Sequence, residues 1–570
     1  MSDHADAPEQ AQSGGSAEAP AQPAPPTPAP PPTPAPLAPP APGVPGHDPA
    51  AWRGWLAYQH RMRQQQAREA AAAKAANSMW RRIRPAEAAP VHPVTLVAAL
   101  AAGLTTAVVL GEGMGPGLLL AALPAMVAAY AAARAAGRKA RPWSLVWAAG
   151  CVVLLAVPAL RDAAWPSTLA ILAAVLLAAL ALHGTRRWPG VLLGPLGFVD
   201  SAVTGVGWAW AGVRARGGGA GRERWVPVAK AAVVTVVLLI VFGALFASAD
   251  AAFADLIGGL SPDIPVAEGP WRILLFLLGT VLALAFARTA AAPHRWDRMK
   301  RTPGKARSRV EWSLPLIVLN LLFAGFNAVQ LAVLFGGYDT VLERTGLTYA
   351  EYARQGFWQL LWATVFVLGV IALALRWAPR GGAGDRRLVR SVLGTLCLLT
   401  LVVVASAVRR MDLYVDAYGL TRLRLSVVTM ELWLGLVIVL LMAAGIAGGR
   451  WLARAVVGSA AATVLAFGLL SPDGIIAESN VTRYEQDGKL DLAYLRDLSA
   501  DAAPYLDRLP EPRRSCALMG IRDQLREAED APWYATSLGE HRARAILRER
   551  PVTATARECA LLGAYGGRVE

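Results

Sequence analysis

Charge is what this 570-residue chain has least of. Only 17% of its residues are Asp, Glu, Lys or Arg, while 55% are hydrophobic, and the mean hydropathy is +0.38. Average soluble domains carry about 25% charged residues, so a wholly soluble protein is a poor reading. Lysine is nearly missing, with six against 50 arginines, a bias that fits a GC-rich bacterial source. HExxH, GxSxG, Walker and CxxC patterns are missing from usable positions, so no catalytic motif names a reaction and no cofactor is implied. The four cysteines are too few for a structural zinc site without help, and His541 is the only histidine near Cys516 and Cys559; no metal is expected. A short cleavable signal is also lacking, so the first long apolar run is expected to target the chain.

Long apolar runs are what is there. They fall at about 93–111, 116–133, 144–160, 164–183, 228–249, 271–290, 313–336, 357–377, 391–408, 425–447 and 455–470. A run of 18–24 residues matches the roughly 30 Å hydrocarbon core at 1.5 Å per residue, and a lone span in lipid must satisfy its own backbone, which selects helices. The expected fold is an all-α polytopic transmembrane bundle of about 11 spans, with the lipid bilayer as its first partner. Residues 191–213 contain Pro195, Asp200, five glycines and two tryptophans, and are expected to be interfacial or re-entrant.

The net charge of +15 does not point to nucleic acid, because the basic residues sit in short loops, where they set topology. With the N-terminus inside, inner segments hold about 33 Lys and Arg and outer loops about eight. That threading places the chain in a bacterial plasma membrane with the N-terminus cytoplasmic and the C-terminus extracytoplasmic. Residues 1–50 form a disordered Pro/Ala-rich tail, 51–92 a basic juxtamembrane helix carrying Trp52, Trp55, Leu56 and Met62, 93–227 an Ala-rich transmembrane region, 228–470 the transmembrane core, and 471–570 a small helical extracytoplasmic domain. There Cys516 and Cys559 can pair, or remain two buried thiols. Asn480-Val481-Thr482 fits a glycosylation sequon, a tripeptide common by chance.

The stretch "LTYAEYARQGFW" (347–358) reads as a helix start. Thr348 is the N-cap and Glu351 completes a capping box, with Leu347 and Tyr352 as a hydrophobic staple. A second outer loop, "RRMDLYVDAYGLTRLRL" (409–425), repeats the Gly-Leu-Thr approach to a span, with Thr421 as cap but no box, since its third following residue is Arg424. Two readings stay open for these loops: local Arg–Asp pairs, or a polar site at the outer mouth shared by Glu351, Arg354, Arg410, Asp412 and Asp416. Within spans, Glu431 is expensive in lipid and implies a partner or a cavity. Asn320, Asn327 and Gln330 share a helix face, either as interhelical glue or as a substrate path.

The segments "YAEYARQGFWQL" (349–360), "RRMDLYVDAYGLTRLRL" (409–425) and "SNVTRYEQDGKLDLAYLRDLSADAAPYLDRL" (479–509) resemble an uncharacterised bacterial multi-spanning family, domain of unknown function 4153, or its 4173 relative. The resemblance covers roughly 230–570 and implies an integral membrane protein with no accepted activity. Three functions follow as expectations: a non-enzymatic envelope sensor or assembly partner that meets an envelope protein through 471–570, a transporter, or a membrane-embedded enzyme at the outer face.

Overall fold

The computed structural model describes residues 56–69, 83–85, 87–216, 269–299, 308–336, 357–378 and 382–566. The chain forms two compact units, Met1–Met79 and Trp80–Glu570. In the first, residues 56–69 are helical, with Leu56 and Met62 exposed. The stretch expected as a disordered tail lies outside the described residues, as do Trp52, Trp55, Thr348, Glu351 and Arg354.

The second unit is helical throughout its regular elements. Its membrane part comprises α1 (Pro93–Val109), α2 (Gly117–Ala135), α3 (Pro142–Leu160, jointed at Ala156), α4 (Ala164–His183), α5 (Trp188–Arg216), α6 (Gly269–Ala291), α7 (Arg309–Gly336), α8 (Phe357–Trp377), α9 (Ala383–Tyr418), α10 (Arg422–Ala447) and α11 (Leu452–Leu469). Among the described residues, ten helices are long and apolar enough to cross a membrane, and α1, at 17 residues, is a shorter apolar helix. The chain is an integral membrane protein. Sequence marks the ends: proline opens α1 and α3, where its missing N–H has no helical partner to lose. Gly184 closes α4 at φ 64°, a left-handed value that glycine adopts without strain.

Small residues bring the first helices together. A β-carbon on Gly103 would lie 2.7 Å from the Phe276 carbonyl oxygen, and one on Gly279 would lie 2.9 Å from that of Ala102. Lipid tails are as apolar as leucine, so close packing is what holds α1 against α6. A second core joins α7, α8, α9 and α10 through Trp312, Leu316, Val367, Ile371, Leu396 and Ile438. A third joins α3, α4 and α11 through Trp147, Leu154, Leu177, Leu180 and Val457.

Contacts sort the connections into two ends. At one, Arg138 reaches the carbonyls of Ala290 and Leu182, the Asp297 carboxylate accepts the N–H groups of Arg186 and Arg187, and Arg309 pairs with Asp385. Arg454 stacks over Trp143 at this same end. We call it the arginine end. At the other, Arg272 pairs with Glu112, Arg161 bonds the Leu469 carbonyl, and the α1–α2 turn meets Tyr534 through Gly117 N–H, 2.8 Å. This is the domain end.

Helix α5 has 29 residues, about 43 Å of rise, enough to cross. Gly197 packs on His183 and Trp296, Phe198 stacks 4.7 Å from Phe286, Gly205 meets the Leu284 carbonyl, Trp208 donates 2.9 Å to the Ala89 carbonyl, and Gly212 packs on Val91. All of these partners lie at the arginine end or in the nearer half of α6. The helix, unbroken through Pro195, thus packs on the arginine-end half of α6 and on the residues that lead into α1, and Ala209 reaches Ala102 and Ala283. The span expected at 228–249 lies outside the described residues.

Helix α9 has 36 residues, about 54 Å, well beyond a ~30 Å core. Arg409 and Arg410 fall in this surplus length, beyond the 391–408 apolar run but within the same helix. Above the domain end sit α12 (Pro472–Asp487), α13 (Leu492–Arg496), α14 (Arg513–Glu527), α15 (Leu538–Glu549) and α16 (Ala556–Gly566). They enclose Ile476, Val481, Leu495, Leu506, Leu518 and Ile521, and Leu420 from the membrane part joins them. Ser537 and Glu540 form a capping box at α15. Cys516 and Cys559 are joined by a disulfide, and Arg514, 1% exposed, is held by Asp507, Glu511 and the Arg550 carbonyl.

Candidate functional site: the seam between bundle and domain

The densest polar constellation is the seam where the domain meets the bundle. Its centre is Asp473, in the first turn of α12 and fully buried. Arg422, at the start of α10, grips it with two bonds, Nε to Oδ1 at 2.9 Å and Nη2 to Oδ2 at 2.6 Å. Trp165 of α4 donates its indole N–H to Oδ1 at 3.2 Å, and the Ser499 N–H donates to Oδ2 at 2.9 Å. Burial pushes the Asp473 carboxyl up, but Arg422, the Ser499 N–H and Trp165 outweigh it and hold the group below its ordinary value. Arg422 also donates to the Asp497 carbonyl, and its own N–H donates to the Tyr494 hydroxyl at 2.7 Å. Ser471, the residue before α12, sits at φ 57°, an uncommon value for a residue with a β-carbon.

A second clasp lies beside it. The α3–α4 turn and the 499–502 turn exchange bonds: the Asp501 carboxylate accepts the Asp162 and Ala163 N–H groups at 2.9 and 3.3 Å, and the Asp162 carboxylate accepts the Ala500 N–H at 2.9 Å. Burial, then the nearby Asp162, raises Asp501, against the two N–H bonds and Arg161. Glu540 faces the same turn. Burial and the Asp162 charge push it up to about 7.

The residues singled out from sequence are distributed as follows. Asn320 and Asn327 donate to the Val392 and Leu399 carbonyls at 3.0 and 2.9 Å, tying α7 to α9. Gln330 accepts from Arg410 at 2.9 Å on the same pair of helices. Asp412 pairs with Arg409 at 2.6 Å, and the Asp416 carbonyl accepts from Arg483. Glu351 and Arg354, the other members of the outer-mouth set, lie outside the described residues. Glu431 is fully buried; one oxygen accepts from Thr364 at 3.2 Å, and the other has no hydrogen-bond partner among the described residues. Thr421 caps α10 through the Arg424 N–H. Asn480 of the sequon is buried and donates to the Leu420 and Ile476 carbonyls. Among the described residues no group of three His, Cys, Asp or Glu is placed to hold a metal.

Sequence reasoning missed Trp165, Asp162, Asp473, Asp501 and Glu540. A weak signal existed for one: "SPDG" (471–474) has proline and an acid where a helix begins. The quoted segments 409–425 and 479–509 turn out to be two sides of one seam, since Arg422 meets Tyr494 and Asp497 while Arg483 and Asn480 reach back to 416–420.

Fold and seam define a class: a polytopic helical membrane protein whose C-terminal helices are keyed into one end of its bundle. Within that class, the chain belongs to the family described as Domain of unknown function (DUF4153), whose model matches residues 148–509, well over half of its length. The match opens within α3, earlier than the roughly 230 expected, so part of the Ala-rich region belongs to the family unit. It closes at Leu509, before α14. No curated protein and no solved structure matches the chain.

Proposed function

We propose that this protein is a non-enzymatic sensor or assembly partner of the bacterial plasma membrane, with the domain end and 471–570 outside and the arginine end cytoplasmic. The observation that carries the reading is the seam. One domain carboxylate, Asp473, is bound by side chains from two membrane helices, α4 and α10, and a second, Asp501, is bound by the turn that joins α3 to α4. A ligand that tilts the domain must therefore move helices, and helix movement must move the domain. The sidedness rests on the positive-inside rule applied to the arginine end.

The test is complementation of a deletion strain, paired with photo-crosslinking from exposed Trp533. The expected result is a discrete adduct with an envelope protein and no complementation by a chain cut after Leu470. A truncated chain that restores the phenotype would overturn the proposal. Impermeant thiol labelling of Cys516 and Cys559, after reduction on intact cells, tests the sidedness. A second reading, a transporter, is favoured by Glu431 with its unpartnered buried oxygen. Full complementation by Glu431→Gln would remove it.

A further inference from the structure

The arginine end holds a cavity of about 480 Å³ between the α4–α5 and α10–α11 connections. Its lining includes Arg186, Arg187, Arg450 and Arg454, with Trp188 and Met299, and no carboxylate among the lining residues. The nearest acid in sequence, Asp297, is already committed: its two oxygens accept the backbone N–H groups of Arg186 and Arg187 at 3.0 and 3.2 Å. That bond shapes the loop while leaving both guanidinium groups for something else. Arg454 stacks 5.0 Å from the Trp143 ring, and its buried Nε has no hydrogen-bond partner among the described residues.

Four cations around one cavity repel one another unless an anion joins them. Guanidinium forks match phosphate oxygens two bonds at a time. Tryptophan beside arginine at a bundle end is the setting of a lipid headgroup layer. We infer that this cavity is a binding site for a phosphate ester, carried by an anionic phospholipid headgroup seated between α4 and α11. A soluble phosphate compound shares the chemistry, and the experiment separates the two sources.

Native mass spectrometry of the full chain would titrate phosphatidylglycerol and phosphatidylcholine of identical acyl chains, with inorganic pyrophosphate as a separate ligand. The variant is Arg187→Gln with Arg450→Gln; both side chains are exposed and lie in connections. A charge-assisted bond lost is roughly tenfold in affinity. The double variant should therefore bind phosphatidylglycerol about 100-fold more weakly, with phosphatidylcholine unchanged. That result supports the headgroup. Loss of pyrophosphate binding alone supports the phosphate site but moves its source to a soluble compound. Equal binding of all three ligands to wild type and variant overturns the inference. So does a wild type that does not distinguish the two lipids and does not bind pyrophosphate. An unchanged melting midpoint in phosphatidylcholine verifies that the variant is folded; should it fall, Arg450→Gln alone, on the α10–α11 turn, is read for a tenfold loss.

Discussion

Replacing Arg422 by glutamine should unlock the domain from the bundle. Asp473 is 0% exposed in its side chain, and Arg422 is 37% exposed. Removing one partner of a buried pair costs about 3–5 kcal/mol, because the remaining charge stays buried without compensation. Trp165 and the Ser499 N–H still hold Asp473, and Arg422 is partly solvated, so the lower limit, about 3 kcal/mol, applies. Local opening of α12 should then be easier by roughly two decades, read as faster amide exchange across Pro472–Asp487 in the full-length protein. Arg508→Gln provides the contrast. It removes an exposed pair to Glu485 on the same helix, and such pairs contribute about 0–1 kcal/mol. Replacing both seam partners, Arg422→Met with Asp473→Leu, should cost less than Arg422→Gln alone, since no charge is stranded. Exchange of α12 that is unchanged in Arg422→Gln, or no slower in Arg508→Gln than in Arg422→Gln, would refute the claim that this pair locks the seam.

Glu540, raised to about 7, keeps its proton in the docked state at pH values where a free carboxyl has lost it. Docking of α15 should therefore weaken as pH rises from about 5 to 8, by about 1–2 kcal/mol after solvent screening, and Glu540→Gln should flatten that dependence in an exchange measurement. Reducing Cys516–Cys559, which closes a loop of 43 residues, should destabilise the domain by about 4 kcal/mol on the chain-entropy estimate, read as a lower denaturation midpoint of α14 and α16. Gly279→Val should separate α1 from α6 and cost about 1–3 kcal/mol or more in a detergent melt, because its β-carbon meets Thr106 and the Ala102 carbonyl. Gly325→Val, with open space around it, should leave the α1–α6 contact intact.

Much of the architecture is legible in the sequence. Bilayer thickness converts hydropathy into helix length, so α3, α4, α6, α8 and α10 end within a few residues of the apolar runs. Arginine clusters named the arginine end, because charge does not cross lipid cheaply. Capping chemistry at Thr421 is local, three residues long, and was equally readable. Asn320 and Asn327 were placed on one face by helical spacing, though spacing alone left open whether they serve packing or a path.

Sequence by itself thus determined which segments are long and apolar enough to enter lipid and which of their flanks carry charge, since both depend on side chains meeting solvent one residue at a time. Tertiary structure alone decided which neighbours α5 takes, from His183 and Trp296 to Ala89 and Val91: hydropathy reports burial from water and names no partner. It alone assembled the seam, where Asp162 meets Ala500, Trp165 meets Asp473, and Arg422 closes on both Asp473 and Asp497. Carboxylates and arginines in loops look alike in a sequence, whether solvated or paired. Only packing that removes the water between segments hundreds of positions apart makes one of them a lock.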